Sequence, residues 1–140
     1  MIDYDLWRQR LKSEMGSQLK HYGLASDIKT VLKNAVKTTP ALFVIPKDEN
    51  NKSQNSTGTY RDIVTGGIDV LIIVSDYSDA LGAKAGQSLK AIRDGIHTSL
   101  RGWTPPDCAD VVNYRGGKRV SMAKGLLLWA DTYESLYQKG

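Results

Sequence analysis

One cysteine in 140 residues, Cys108, leaves no partner for an internal disulfide, so the chain is not a disulfide-stapled scaffold and nothing in it requires an oxidising compartment. No apolar run approaches the roughly 20 residues that cross a bilayer. The first residues, Met1-Ile2-Asp3-Tyr4-Asp5, are acidic and lead into no apolar stretch, so no secretory signal is expected. Charge of one sign is lacking too. Nineteen Lys and Arg stand against fifteen Asp and Glu, a net charge of +4, and the two signs interleave without a basic arm or an acidic tail. The two histidines, His21 and His97, read as lying on separate helices with no second ligand at metal spacing, which argues against a zinc site or a Cys/His nucleophile. Gly82-Ala83-Lys84-Ala85-Gly86-Gln87-Ser88 precedes a helix but lacks the Gly-Lys-Ser/Thr ending of a phosphate-binding loop. Asp76 with Asp79, and Asp107 with Asp110, fall in turns, where Asp caps its own backbone. The chain therefore carries no enzyme signature and implies no cofactor or metal.

What is present suits one domain. A chain of this length buries about 68% of its unfolded surface, and 41% hydrophobic with 24% charged residues is ordinary globular composition. Tyr4, Trp7, Leu11, Met15 and Leu19 recur at spacings of three and four, which predicts a first helix, charged by Asp3 or Asp5 at its start and weakened or ended by Gly16 or Gly23. A second helix is expected with Ser26 as N-cap, Leu24 stapled to its first turn, and Ile28, Val31, Leu32, Ala35 and Val36 as its stripe, ending at Thr38-Thr39-Pro40.

Ala41 to Ile45, closed by Pro46, reads as a strand buried on both faces. Lys47 to Gly58 has no hydrophobe and reads as a long polar loop, either mobile or held for binding. Its Asn51-Lys52-Ser53 and Asn55-Ser56-Thr57 match a glycosylation acceptor, but without a secretory signal they carry no weight. Tyr60 to Ser75 holds the longest strand signal, with Ile68, Val70, Ile72 and Val74 on one face and Leu71 and Ile73 on the other; Gly66-Gly67 suggests a bulge or bend in it. A third helix follows on the stripe Ala85, Leu89, Ile92, Ile96 and Leu100. It stops at Gly102-Trp103-Thr104-Pro105-Pro106, where the glycine suits a left-handed helix end and the prolines forbid further helix. Val111 to Arg115 and Lys118 to Met122 flank Gly116-Gly117, which predicts a tight hairpin. Leu126 to Tyr137 fits both a strand and a helical stripe, and its aromatic content favours the strand. Basic groupings at Arg8, Arg10 and Lys12 and at Arg115, Lys118 and Arg119 read as solvated faces or hairpin ends rather than phosphate-binding patches. The sum is a single α+β domain over residues 1–140, a mixed, mainly antiparallel sheet packed against two to three helices.

This order of elements resembles the tailed-bacteriophage tail terminator (tail completion) proteins, among them the Mu-like and lambda-like minor tail proteins. The resemblance spans nearly the whole chain. Its distinctive parts are the stop at Gly102, Trp103, Pro105 and Pro106 after the third helix and the later Tyr114-Arg115-Gly116-Gly117. It implies a non-enzymatic virion or prophage part, made in the bacterial host cytoplasm and carried in the virion tail. Such proteins form a homo-hexameric ring on the head-proximal end of the tail tube, end tube polymerisation and offer a surface for head attachment. The implied partners are further copies of the chain, the tail tube protein and a head-tail connector, with no membrane and no nucleic acid. By the same analogy Lys47, Asp48, Glu49, Lys52, Tyr60 and Arg61 are the candidates for the ring or tube interface. Gly102, Trp103, Pro105, Pro106, Gly116 and Gly117 are expected to be structural. A small basic nucleic-acid-binding domain is the alternative, suggested by a pI near 9.2 and exposed Tyr and Arg.

Overall fold

A strand whose residues alternate between two apolar faces must be covered on both, and Asp62–Ser75 is built that way. In the computed structural model, which describes residues 2–33, 38–51, 62–75, 83–123 and 125–139, this strand is the centre of a six-stranded sheet. The elements in chain order are α1 (Tyr4–Met15), a 3-10 turn (Gly16–Gln18), β1 (His21–Leu24), α2 (Ile28–Lys33), β2 (Ala41–Pro46), β3 (Asn50–Asn51), β4 (Asp62–Ser75), α3 (Ala83–Leu100), β5 (Asn113–Ala123) and β6 (Leu126–Lys139). The sheet order is β1-β2-β4-β6-β5, with β3 paired to β4 beside β2. Only β1 runs parallel to its neighbour, so the sheet is mixed and mainly antiparallel. The fold is α+β, as the sequence predicts.

The two faces of β4 hold separate clusters. Ile68, Val70, Ile72 and Val74 join Leu42, Val44, Leu127, Tyr133 and Tyr137 beneath α1 and α3, whose Trp7, Leu11, Met15, Ile92, Ile96 and Leu100 close the larger cluster. Leu71 and Ile73 face the other way with Ile45, Leu128 and Ala130, and Val31 of α2 caps this smaller group. Each such buried side chain contributes about 1.5–3 kcal/mol of transfer free energy. The helix layer is therefore complete on one face, and α2, only six residues long, covers part of the other.

The helix starts follow local chemistry. Asp3 accepts a hydrogen bond from the Asp5 backbone N–H, and Gly16 ends α1 with φ 55°. At α2 the cap is Asp27 rather than Ser26: its carboxylate accepts from the Thr30 N–H at 2.7 Å and the Thr30 hydroxyl at 2.8 Å. Those bonds hold the Asp27 carboxyl below its ordinary range. Leu24 does not staple this helix; it belongs to β1 and is 47% exposed. The expected residues Ala35 and Val36 lie outside the described residues, as does the turn at Asp76 to Asp79.

The strands also differ from the sequence expectation. His21 lies in β1, not in a helix. Lys47 to Gly58 is not all loop, because Asn50 and Asn51 pair with Thr65 and Val64. Gly66-Gly67 makes no bulge in β4, which pairs with β6 without a register shift from Asp62 to Ser75. The irregularity is in the partner: between Pro46↔Ile68 and Asn50↔Thr65, three residues, Lys47 to Glu49, oppose two glycines. Gly116-Gly117 is not a hairpin turn either. Both lie inside β5, and β5 joins β6 at Gly125, whose φ is 75°. Residues Leu126–Lys139 are a strand along their whole length.

Candidate functional site

The sheet carries two polar constructions on β5 and β6, back to back. The first is a clamp on the helix side. Asp131 is fully buried, a position that only satisfied hydrogen bonds make tolerable for a carboxylate. It accepts from Arg93 Nε at 2.9 Å and Arg93 Nη2 at 3.1 Å, from the Tyr114 hydroxyl at 3.0 Å and from Trp129 Nε1 at 2.9 Å. The hydrogen bond to Asp131 raises the pKa of Arg93, whose guanidinium also lies 4.5 Å from the Trp129 ring centroid. Beside it the His97 Nδ1 and Tyr133 hydroxyl are 2.5 Å apart, and burial pushes the Tyr133 phenol up. Arg93 Nη2 also donates to the Tyr114 hydroxyl at 3.2 Å, and no solvent reaches Asp131. The arrangement ties α3 to β5 and β6, and Arg93 and His97 also line, with Lys90 and Asp94, a small cavity of about 120 Å³.

The second construction is on the opposite face and follows from a bulge. Tyr114 opposes Tyr133 and Gly116 opposes Thr132, so Arg115 is an extra residue in β5. The insertion reverses the alternation, and Arg115 and Lys118, three apart, come to the same side. Gly116 adopts φ 141° at this bulge. With Lys47, Asp69, Ala130, Thr132 and Glu134, the segment Arg115 to Lys118 lines a groove of about 350 Å³ on the sheet face that α2 leaves uncovered. Arg115 Nε donates to Glu134 Oε2 at 2.7 Å, Lys47 Nζ lies 4.0 Å from Asp69 Oδ1, and the Thr132 hydroxyl donates to that same oxygen at 2.5 Å. The carboxylates sit deeper than the cations: Asp69 and Glu134 are 26% and 25% exposed, Lys47 and Arg115 37% and 52%. Lys118 is exposed and has no ionic partner among the described residues. The groove thus shows cations outward over a floor of Gly and Ala.

Of the residues expected at an interface, Lys47 is in this groove. Asp48 is exposed outside it. Glu49 points to the helix side, where it accepts from the Tyr137 hydroxyl at 2.6 Å; that bond pushes the Tyr137 pKa up to about 12. Lys52, Tyr60 and Arg61 lie outside the described residues. Among the residues expected to be structural, Gly102 ends α3 with φ 81°, Trp103 packs edge-on to Trp7 at 6.1 Å, Pro105 is buried and Pro106 exposed. Gly116 and Gly117 join the groove lining. In the sequence Arg115 and Lys118 stand out only as a basic grouping at an expected hairpin end, nothing in it marks Asp69, Thr132 or Glu134, and the bulge that assembles them has no signal beyond the glycine pair.

Among the described residues no group of three His, Cys, Asp or Glu side chains is placed to hold a metal. Cys108 is half-buried, and burial pushes its thiol up to about 11, which leaves little thiolate at neutral pH. No described helix is long and apolar enough to cross a membrane.

A family model described as phage tail terminator protein matches residues 1–139. No protein with a curated description matches the chain. Among solved structures, a chain of the virion of a native gene transfer agent (GTA) particle aligns with a TM-score of 0.59 at 10% identity, over 95% of this chain and 92% of its own, a likeness of fold. A second solved chain, without a functional name, aligns with a TM-score of 0.49 at 11% identity over 100% of this chain and 99% of its own, too weak a likeness to carry an argument.

Proposed function

The chain belongs to the phage tail terminator family and is a structural protein of the phage tail, and from that premise we propose that it closes the tail tube. Copies assemble as a ring, six in number, on the head-proximal end of the tube; the ring stops further addition of tube protein and presents the surface that the head-tail connector meets. The observation that carries this reading is the family match over all but the last residue of the chain.

The physical features agree with a part that works by shape and charge rather than by chemistry. The fully buried carboxylate of Asp131 is held by Arg93 of α3, Tyr114 of β5 and Trp129 of β6, a tie between helix and sheet. The groove on the far face mixes three cations with two carboxylates, a pattern suited to setting the register of a protein partner. A closed head-to-tail ring needs two different patches on one subunit, and a sheet covered on one face and partly open on the other provides two distinct sides. The candidate interface residues Lys47, Asp48 and Glu49 lie where β2 gives way to β3, and Lys52, Tyr60 and Arg61, outside the described residues, are proposed for the same interface.

The test is where the protein binds. Purified chain carrying a gold label is mixed with preformed tubes of the tail tube protein from the same genome and viewed by electron microscopy. Label at one tube end is the expected result, and label along the tube wall or on neither end contradicts the reading.

A further inference from the structure

Six ion pairs are formed by the described residues, and among the exposed acids outside them are Asp3, Asp107 and Asp110. They lie together. The Asp3 backbone N–H donates to Asp107 Oδ2 at 2.6 Å, and Asp110 is three residues further along the same turn, one of its carboxylate oxygens accepting from the Val111 N–H at 2.7 Å. This turn belongs to the helix layer. Cys108 packs against the larger apolar cluster, Asp3 caps α1, and Ser135, on the helix side of β6, donates its hydroxyl to the Asp110 carbonyl at 2.8 Å.

The groove of Lys47, Arg115 and Lys118 is on the other face of the same sheet. Its carboxylates engage the inner side of the cations. Arg115 uses its Nε on Glu134, so the two terminal nitrogens of its guanidinium fork remain to receive a second carboxylate, and Lys118 has no ionic partner among the described residues. One copy thus displays exposed, unpaired carboxylates on its front and outward cations on its back. A two-fold dimer uses one and the same face of both copies and cannot bring acids on the front to cations on the back; only a heterologous contact joins front to back, and such contacts close into a ring when the rotation between copies closes.

We propose that the Lys47–Arg115–Lys118 groove receives the Asp107–Asp110 turn of a second copy of this chain, so that neighbouring copies join head to tail. The proposal rests on the ring reading above and names the surface that makes the ring. Arg115 and Lys118 of one copy take the carboxylates of Asp107 and Asp110 from the next, and the small floor of Gly116, Gly117 and Ala130 leaves room for the incoming turn.

The experiment is zero-length carbodiimide cross-linking, which couples a lysine ammonium to a carboxylate only where the two touch. It is run on an equal mixture of isotopically light and heavy chain, free and in the presence of tail tubes, followed by mass spectrometry. The expected result is a ladder of oligomers with mixed-isotope links from Lys118 or Lys47 to Asp107 or Asp110. The double variant R115E/K118E and the double variant D107K/D110K, each checked for folding by circular dichroism, each lower the ladder about tenfold, and mixing the two restores it, because the native acids of the first meet the native cations of the second and the reversed pair meets at the next seam. A ladder whose links map to other residue pairs overturns the groove assignment and leaves the ring reading standing. Absence of any ladder, both free and on tubes, overturns both. Undiminished assembly of the double variants overturns the groove assignment alone.

Discussion

Gly117 and Asp131 oppose each other across the β5/β6 pair, and a Cβ on Gly117 would stand 2.1 Å from Asp131 Oδ1, 2.8 Å from Trp129 Nε1 and 2.9 Å from the Tyr114 hydroxyl. The bare backbone at this position is what allows the strand to lie over the Arg93–Asp131 clamp. Gly117→Ala is therefore expected to destabilise the fold by about 1–3 kcal/mol, the cost typical of a forced core insertion. The shift of the urea midpoint, at unchanged slope, measures it. A midpoint equal to the parent chain's shows that β5 can move away without cost.

Asp131 has the larger role in stability. Asp131→Ala leaves the Arg93 guanidinium, the Tyr114 hydroxyl and the Trp129 indole N–H without their acceptor. Arg93 is 32% exposed and recovers some hydration, so the expected loss is about 3 kcal/mol, at the low end for a broken buried pair. Asp131→Asn, which keeps an acceptor oxygen, loses less. Thermal unfolding of the two variants side by side checks the order, and equal melting temperatures for Asp131→Ala and the parent contradict it.

Phenols report on the same core. Tyr4, Tyr22, Tyr114, Tyr133 and Tyr137 all have raised pKa values, with burial the first cause for every one except Tyr137, where the Glu49 contact leads. Tyr4 is pushed up to about 12 by burial, with Glu49 adding to it. The folded pKa is above the unfolded value of 10, so these groups cost no stability below pH 10; as pH rises from about 10 to about 12 the unfolded chain ionises first and stability falls. A spectrophotometric titration at the phenolate band is expected to show the bulk of the seven tyrosines resisting past pH 10, then ionising together with unfolding. Ionisation of all seven in one step near pH 10 contradicts the burial.

Much of this was legible in the chain itself, and the exceptions have physical causes. Ile68 to Val74 announces both its faces because a central strand must satisfy two cores, and the apolar stripe of α3 was read for the same reason. β1 carries no such pattern: it is a four-residue edge strand with Gly23 in it and exposed side chains at both ends, stabilised by parallel pairing to β2 rather than by its own periodicity. Gly116-Gly117 misleads because paired glycines serve turns most often, whereas here one glycine answers a bulge and the other the close approach of Asp131. Asp131 itself is an acid in an aromatic strand whose partner Arg93 is 38 residues away, and only the fold brings them together. The groove is hidden for the same reason: its cations and carboxylates come from four strands or strand ends and share a face only after the extra residue at Arg115 reverses the alternation of β5.

The central claim is that the chain ends tube growth, and the length of tubes polymerised in its presence tests it most directly. Tail tube protein is allowed to polymerise with increasing amounts of the folded chain, and tube lengths are measured by electron microscopy. The account predicts that mean length falls as chain is added and reaches a floor at about six copies per tube end. A length distribution unchanged at every ratio, with the folded chain left in solution, contradicts it.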